Sequence, residues 1–239
     1  MKKILLFIFL IGIVCLGAYI IRTQSIRTLK TVPTTTTTTM ATDKVIIINE
    51  TIDEEQENYL INVTYPSTNN EFITEDIKNL IQTRIDNFKK IISEPSPNSQ
   101  KMTLSINYGI IFNQEEILSI KFEEESYTGG AHPGHIIFTK NYSIPENIEI
   151  SFDSVITAES ILKDISIFAL DYFQKQKFEH KLFLEGLAPK IENYKTFALT
   201  NDSIIFYFNE YQIAPYSAGS FELKIPYEIL ESQTELEIE

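Results

Sequence analysis

The sequence predicts an α+β fold: mainly antiparallel sheet packed against two long amphipathic helices, preceded by one N-terminal transmembrane helix. Three observations carry this expectation. Two stretches, near 75–92 and 158–176, place apolar residues at helical spacing; short strand-like runs alternate with them; and an uncharged apolar run, Ile4 to Ile21, follows the pair Lys2 and Lys3.

The N-terminal element is justified by charge and length together. From Met1 to Thr42 the only charges are Lys2, Lys3, Arg22, Arg27 and Lys30, and the first carboxylate is Asp43. Eighteen residues from Ile4 to Ile21, at about 1.5 Å each, reach roughly 27 Å, short but adequate for a bilayer core of about 30 Å. Residues 1–22 therefore read as a transmembrane anchor or an export signal, with the continued apolar run through Tyr19, Ile20 and Ile21 favouring the anchor. The flanking positive charges nearly balance, so orientation follows from the three-residue head: N-terminus inside, C-terminal domain extracytoplasmic at the cell membrane. Cys15 is membrane filler, since Gly12, Ile13 and Val14 ahead of it do not form a lipoprotein signal. Residues 23–44, with Thr34 to Thr39 behind Pro33, form a Thr-rich linker whose composition offers nothing to bury.

Beyond the linker, Val45 to Ile48 and Tyr59 to Tyr65 read as strands. Thr74 offers an N-cap, Glu75 and Asp76 suit the first turn, and Ile77, Leu80, Ile81, Ile85, Phe88, Ile91 and Ile92 follow at helical spacing towards Lys89, Lys90 and Pro95. Strands are expected at 101–112 and 116–126, then a hairpin of Ile136 to Ile144 and Ile148 to Phe152 around Pro145-Glu146-Asn147. A second helix spans 158–176, with Ile161, Leu162, Ile165, Phe168, Ala169, Tyr172 and Phe173 on one face. A short helix near Lys181 to Leu187 precedes three strand-like runs: Tyr194 to Thr200, Ser203 to Asn209 and Phe221 to Pro226.

Composition bounds the chemistry. The 239 residues carry 20 basic and 33 acidic side chains, a balance of −13. Five of the bases precede Asp43, leaving fifteen against 33, or −18, for residues 43–239. Nucleic acid is excluded as a partner, because its binding starts with basic groups neutralising phosphates. One cysteine excludes an internal disulfide and a multi-cysteine zinc site.

His132 and His135 have the spacing of two ligands on a helix, but Gly129, Gly130, Pro133 and Gly134 make the segment a loop, so no metal, cofactor or catalytic residue is assigned. The diglycine most simply supplies positive φ or close backbone packing. Among the aromatics, Phe206 and Phe208 fall on one strand face and Tyr207 on the other, as core, whereas the tyrosines of the Tyr211 to Tyr216 loop offer a contact surface.

The string Ser126-Tyr127-Thr128-Gly129-Gly130-Ala131-His132 is followed by Glu185-Gly186-Leu187, Phe206-Tyr207-Phe208, Tyr211-Gln212-Ile213-Ala214-Pro215-Tyr216, Gly219 and Ile225-Pro226-Tyr227. Together these resemble the extracytoplasmic module called domain of unknown function 3298 (DUF3298). Residues 45–125 are similar to its usual companion, DUF4163, so the resemblance divides the outer chain into 45–125 and 126–232. The module is familiar from lysozyme-sensing anti-sigma factors and from the N-terminal part of a peptidoglycan deacetylase.

What the resemblance implies is an envelope-associated binding module whose partner is a cationic lysozyme-like protein or cell-wall glycan. Three residues ahead of the apolar run cannot hold a sigma factor, and no catalytic domain is expected before Glu239, so the module is expected without either attached activity. The chain also departs from the family at Pro133, which separates His132 from Gly134 where glycine commonly follows the histidine directly. The candidate binding loop comprises Tyr127, Gly129, Gly130, His132, Tyr211 and Tyr216. Two alternatives stay open: a cell-envelope hydrolase acting on peptidoglycan or another glycan with His132 and nearby carboxylates as acid and base, and a structural spacer.

Overall fold

The computed structural model describes residues 44–92, 100–114, 116–176 and 181–230. The expected anchor and all but the last residue of the linker lie outside them. Among the described residues no helix is long and apolar enough to cross a membrane. The elements below all belong to the compact unit Lys44–Glu239.

Two sheets organise this unit. The larger runs β1 (Ile47–Glu55), β2 (Tyr59–Thr68), β3 (Met102–Gln114), β4 (Ile117–Tyr127), β5 (Gly134–Ser143) and β6 (Ile148–Glu149), hydrogen-bonded in that order. Every neighbouring pair is antiparallel except β2 and β3, which run parallel from Tyr59↔Met102 to Val63↔Ile106. A parallel pair needs a crossover, and helix α1 (Glu71–Ile92) supplies it. Its residues Ile73, Ile77, Ile81, Ile85, Phe88 and Ile92 bury one stripe against Ile61, Val63, Leu104, Ile106, Leu118, Ile120 and Phe122 of the sheet.

The start of α1 differs from the expectation. Asn70, not Thr74, caps it: the Ile73 N–H donates to Asn70 Oδ1 at 3.3 Å, while the Thr74 hydroxyl turns back to the Thr68 carbonyl at 3.1 Å. Arg84 on α1 reaches Glu124 of β4 at 3.2 Å, with its guanidinium 4.2 Å above the Phe138 ring. Asp76 of α1 pairs with Lys140 at 2.9 Å and accepts the Tyr142 hydroxyl at 2.7 Å. The helix is thus tied across the sheet as far as β5.

The smaller sheet contains β7 (Phe197–Leu199), β8 (Ser203–Phe208) and β9 (Phe221–Pro226), all antiparallel. All of β8 is buried because both faces are covered. On one face Phe206 and Phe208 meet the rings of Tyr194, Phe152 and Phe173, carried by α4 (Ile191–Tyr194), α2 (Phe152–Val155) and α3 (Glu159–Lys175). On the other, Ile205 and Tyr207 join Ala198 in packing against Ile111 and Ile137 of the larger sheet.

Between the sheets the outward edge of β7 would leave polar backbone buried, and side chains of the larger sheet satisfy it. The Phe197 N–H donates to Thr139 Oγ1 at 3.1 Å, and Asn141 Nδ2 donates to the Phe197 carbonyl at 2.8 Å. The Leu199 N–H is shared between Ser119 Oγ and Asn141 Oδ1, at 3.1 and 3.2 Å. A bulge between Ile110 and Phe112 in β3 shifts the register beside this contact.

Further boundaries differ from the sequence reading, beginning with the first strand, which runs over Ile47–Glu55 instead of ending at Ile48. The strand expected over Ile148 to Phe152 ends at Glu149, and Phe152 opens α2 to put its ring beside Phe197 and Phe206. Tyr194 belongs to α4, with its hydroxyl donating to the Leu187 carbonyl at 2.7 Å, and β7 starts only at Phe197. The short helix near 181–187 is a single 3-10 turn, Leu184–Leu187.

Candidate functional site

The two motif strings form two loops at neighbouring strand ends. The first, Thr128 to Pro133, joins β4 to β5, whose pairing continues to Ser126↔Gly134. Gly129 sits at φ 97°, a conformation that favours glycine. Gly130 has neither positive φ nor close packing, since a Cβ there would come no nearer than 3.8 Å to the His132 carbonyl. Of the diglycine, then, only the first position is set by backbone geometry.

The second loop leaves β8 at Asn209, whose side chain acts as a one-residue strand. The Ile137 N–H donates to Asn209 Oδ1 at 2.6 Å and Asn209 Nδ2 returns a bond to the Ile137 carbonyl at 3.0 Å. Gln212 holds the loop from below, donating from Nε2 to the Asn193 carbonyl at 2.8 Å, while Ile213 and Ala214 are buried. Gly186 is what allows this approach: a Cβ on it would lie 1.9 Å from the Gln212 carbonyl oxygen. With Gln212, Ile213 and Ala214 turned inward, Tyr211 is left outward at φ 64° and 58% exposed.

Three rings from the two loops meet, one pair stacked and the other tilted. The His132 and Tyr216 ring centroids are 3.9 Å apart at 29°, and Tyr211 follows Tyr216 at 5.7 Å and 35°. The Tyr216 hydroxyl donates to the Pro133 carbonyl at 3.1 Å, and His132 Nδ1 lies 2.8 Å from the same oxygen. Pro133, the point of departure from the family pattern, is thus the acceptor that ties the loops together.

The stack has an acidic neighbourhood. Loss of solvent pushes the Tyr216 phenol above its ordinary range, and the charges of Glu210, Tyr211 and Glu125 add to that rise. His135 does not join His132; its Nε2 faces Glu125 Oε2 across the strands at 3.5 Å. Among the described residues no group of three His, Cys, Asp or Glu side chains could hold a metal ion.

Of the candidate residues, the structure brings His132, Tyr211 and Tyr216 into contact and places Gly129 and Gly130 in the same loop as His132. Tyr127 bonds Gln100 ahead of β3 instead. Asn209 escapes a sequence reading because its role lies in the backbone of β5, distant in sequence, and Gln212, though inside a motif string, carries no local sign that it bonds α4. Gly186 had a signal, its place in the Glu185-Gly186-Leu187 motif string.

Comparison with known proteins follows the same segments. The model of a family described as "Protein of unknown function (DUF3298)" matches residues 42–228, taking in the 45–125 stretch as well. The peptidoglycan-N-acetylmuramic acid deacetylase PdaC of Bacillus subtilis (strain 168) is 28% identical over 179 residues, 72% of this chain and 38% of the deacetylase. The esterase Rv3036c of Mycobacterium tuberculosis (strain ATCC 25618 / H37Rv) is 28% identical over 102 residues, 41% of this chain and 44% of the esterase. The chain thus spans less than half the length of either relative.

Two crystal structures of DUF3298 proteins share the fold. One, from Bacteroides fragilis NCTC 9343, has TM-score 0.51 and 19% identity, covering 80% of this chain and 92% of that one. The other, from Pseudomonas aeruginosa PAO1, has TM-score 0.52 and 15% identity over 78% and 92%.

Proposed function

The chain belongs to the DUF3298 family, and from that premise we propose that it is a membrane-anchored, extracytoplasmic binding module of the cell envelope that recognises a cationic protein partner. The observation that carries this reading is the segregation of charge. All five bases ahead of Asp43 lie in a stretch without carboxylates, and the remainder carries fifteen bases against 33 acids. A field of one sign on the exposed part speeds encounter with oppositely charged proteins and disfavours acidic ones, even where it adds little affinity. The relative whose name places it on peptidoglycan supports the envelope setting. A lysozyme-like muramidase is the specific partner that the family resemblance implies, and its positive charge suits this field.

Retention of a cationic lysozyme by the immobilised full chain tests this. Capture is expected at low ionic strength and is expected to weaken as salt screens the charges over about 10 Å or less. Failure to retain lysozyme at low salt removes the proposal.

The esterase relative favours a second reading, a glycan or ester hydrolase centred on His132. Its geometry counts against it: the imidazole is stacked on Tyr216 and its Nδ1 is engaged with the Pro133 carbonyl. That reading requires turnover of muropeptides or acetylated glycan that His132→Ala abolishes.

A further inference from the structure

The outermost strands of a sheet turn N–H and C=O groups outward, where another chain can pair with them. Of the edges in the two sheets, β1, β6 and β7 are guarded against a copy of this chain. The outer groups of β7 are bonded by Thr139, Ser119 and Asn141, and β6 is only two residues long. β1 carries Glu50, Asp53, Glu54 and Glu55 and no base, so a second β1 laid against it brings acid to acid. The edge left open is β9.

Backbone alternation fixes which groups β9 turns outward. The Tyr227 N–H donates to the Asp202 carbonyl at 3.0 Å, continuing the ladder that pairs Pro226 with Ser203 and Phe221 with Phe208. Phe221, Leu223, Ile225 and Tyr227 therefore direct their backbone groups at β8, and Glu222, Lys224 and Pro226 direct theirs away from it. Pro226 thus stands where its missing N–H costs no ladder bond. The N–H groups of Glu222 and Lys224 have no acceptor among the described residues. The two side chains are exposed on one face, whereas Leu223 and Ile225 are buried on the other, where Phe221 meets the ring of Phe173.

We propose that β9 is a self-pairing edge: two copies of this chain join their β9 strands antiparallel about a two-fold axis beside Leu223, merging two three-stranded sheets into one. Outward groups must meet outward groups, and this register sets Glu222 opposite Lys224 of the second copy, twice by symmetry. Directly opposed residues share a face, so both pairs join opposite charges. A slip of two residues either way keeps the backbone bonding but sets Glu222 against Glu222 or Lys224 against Lys224. Charge therefore selects one register. On the apolar face Phe221 then lies opposite Ile225 of the second copy, and pairing about a two-fold axis closes at two copies. The inference does not depend on the cationic-partner reading.

The test measures the mass of the full chain in detergent micelles by sedimentation equilibrium over a range of concentrations. Roughly 150 mM salt screens the long-range repulsion between two acidic copies while leaving opposed side chains in contact. A dimer is expected for the parent. Glu222→Lys and Lys224→Glu, each setting like charges against each other twice, are expected to weaken it about tenfold or more, and the double swap Glu222→Lys/Lys224→Glu to restore it. Melting temperatures of the monomeric single variants close to the parent's show that weakening is not unfolding, since both side chains are exposed. Equal association by all four chains overturns the β9 interface, as does association that continues beyond two copies. A parent that stays monomeric overturns the dimer; if deleting residues 231–239 then releases one that the same swaps control, the edge belongs to the chain's own tail.

Discussion

Tyr211 holds a left-handed backbone with a large side chain, an arrangement that costs on the order of 1–3 kcal/mol and persists only where neighbours enforce it. Tyr211→Gly relieves that strain but gives the unfolded chain more freedom, so the net expectation is a gain of about 0.5–1 kcal/mol, read as a higher urea midpoint. Asp202 makes the opposite case. Bonds from the Ser203 and Thr200 hydroxyls, with Lys224 nearby, hold its carboxyl below the ordinary 3.8. A lowered folded value contributes stability above the usual carboxylate range and loses it as pH falls through that lowered value. Asp202→Ala is therefore expected to destabilise by about 0.5–1 kcal/mol at neutral pH, since the side chain is largely exposed, with the gap from the parent closing in acid below about pH 4. At this scale the sequence singled out His132, Tyr211 and Tyr216 because motif strings are local. Their stacking was not legible, because it joins residues 84 positions apart through the Pro133 carbonyl.

The helix α1 was legible at the level of elements because its stripe of isoleucines repeats at helical spacing, yet its cap was misassigned. Thr74 has the right chemistry, but the Thr68 backbone captures its hydroxyl, and Asn70 is left to receive the Ile73 N–H. The run Ser203 to Phe208 was legible as a strand, whereas its burial on both faces depends on a second sheet that no local pattern announces. The parallel β2–β3 pair was hidden for the same reason, pairing being a tertiary fact. Two substitutions test how these elements lock together. Gly186→Ala drives a Cβ into the Gln212 carbonyl, so the 3-10 turn or the tyrosine loop must move; a loss of about 2–3 kcal/mol is expected in denaturant unfolding. Asn141→Ala removes bonds to Ser119 Oγ and to the Phe197 carbonyl and Leu199 N–H at a site only 2% exposed, and is expected to cost about 2–4 kcal/mol. A cost near zero for Asn141→Ala would mean that the Thr139 and Ser119 bonds and the apolar packing hold the sheets together without it.

For the whole molecule, the average charge of −13 conceals a basic, carboxylate-free N-terminal stretch and a −18 remainder that folds around two sheets. Charge distribution was fully legible, because it needs only residue identity and position. The family was legible from the combined strings, and its model spans residues 42–228. The partner was not, since a field selects a sign and a rate rather than a shape. The most direct measurement is therefore the association rate constant between the full chain and a cationic lysozyme, followed from roughly 20 mM to 300 mM salt. Fast association is expected at low salt, falling about tenfold or more across that range as the field is screened. Association that is absent at low salt, or equally fast at every ionic strength, would contradict it.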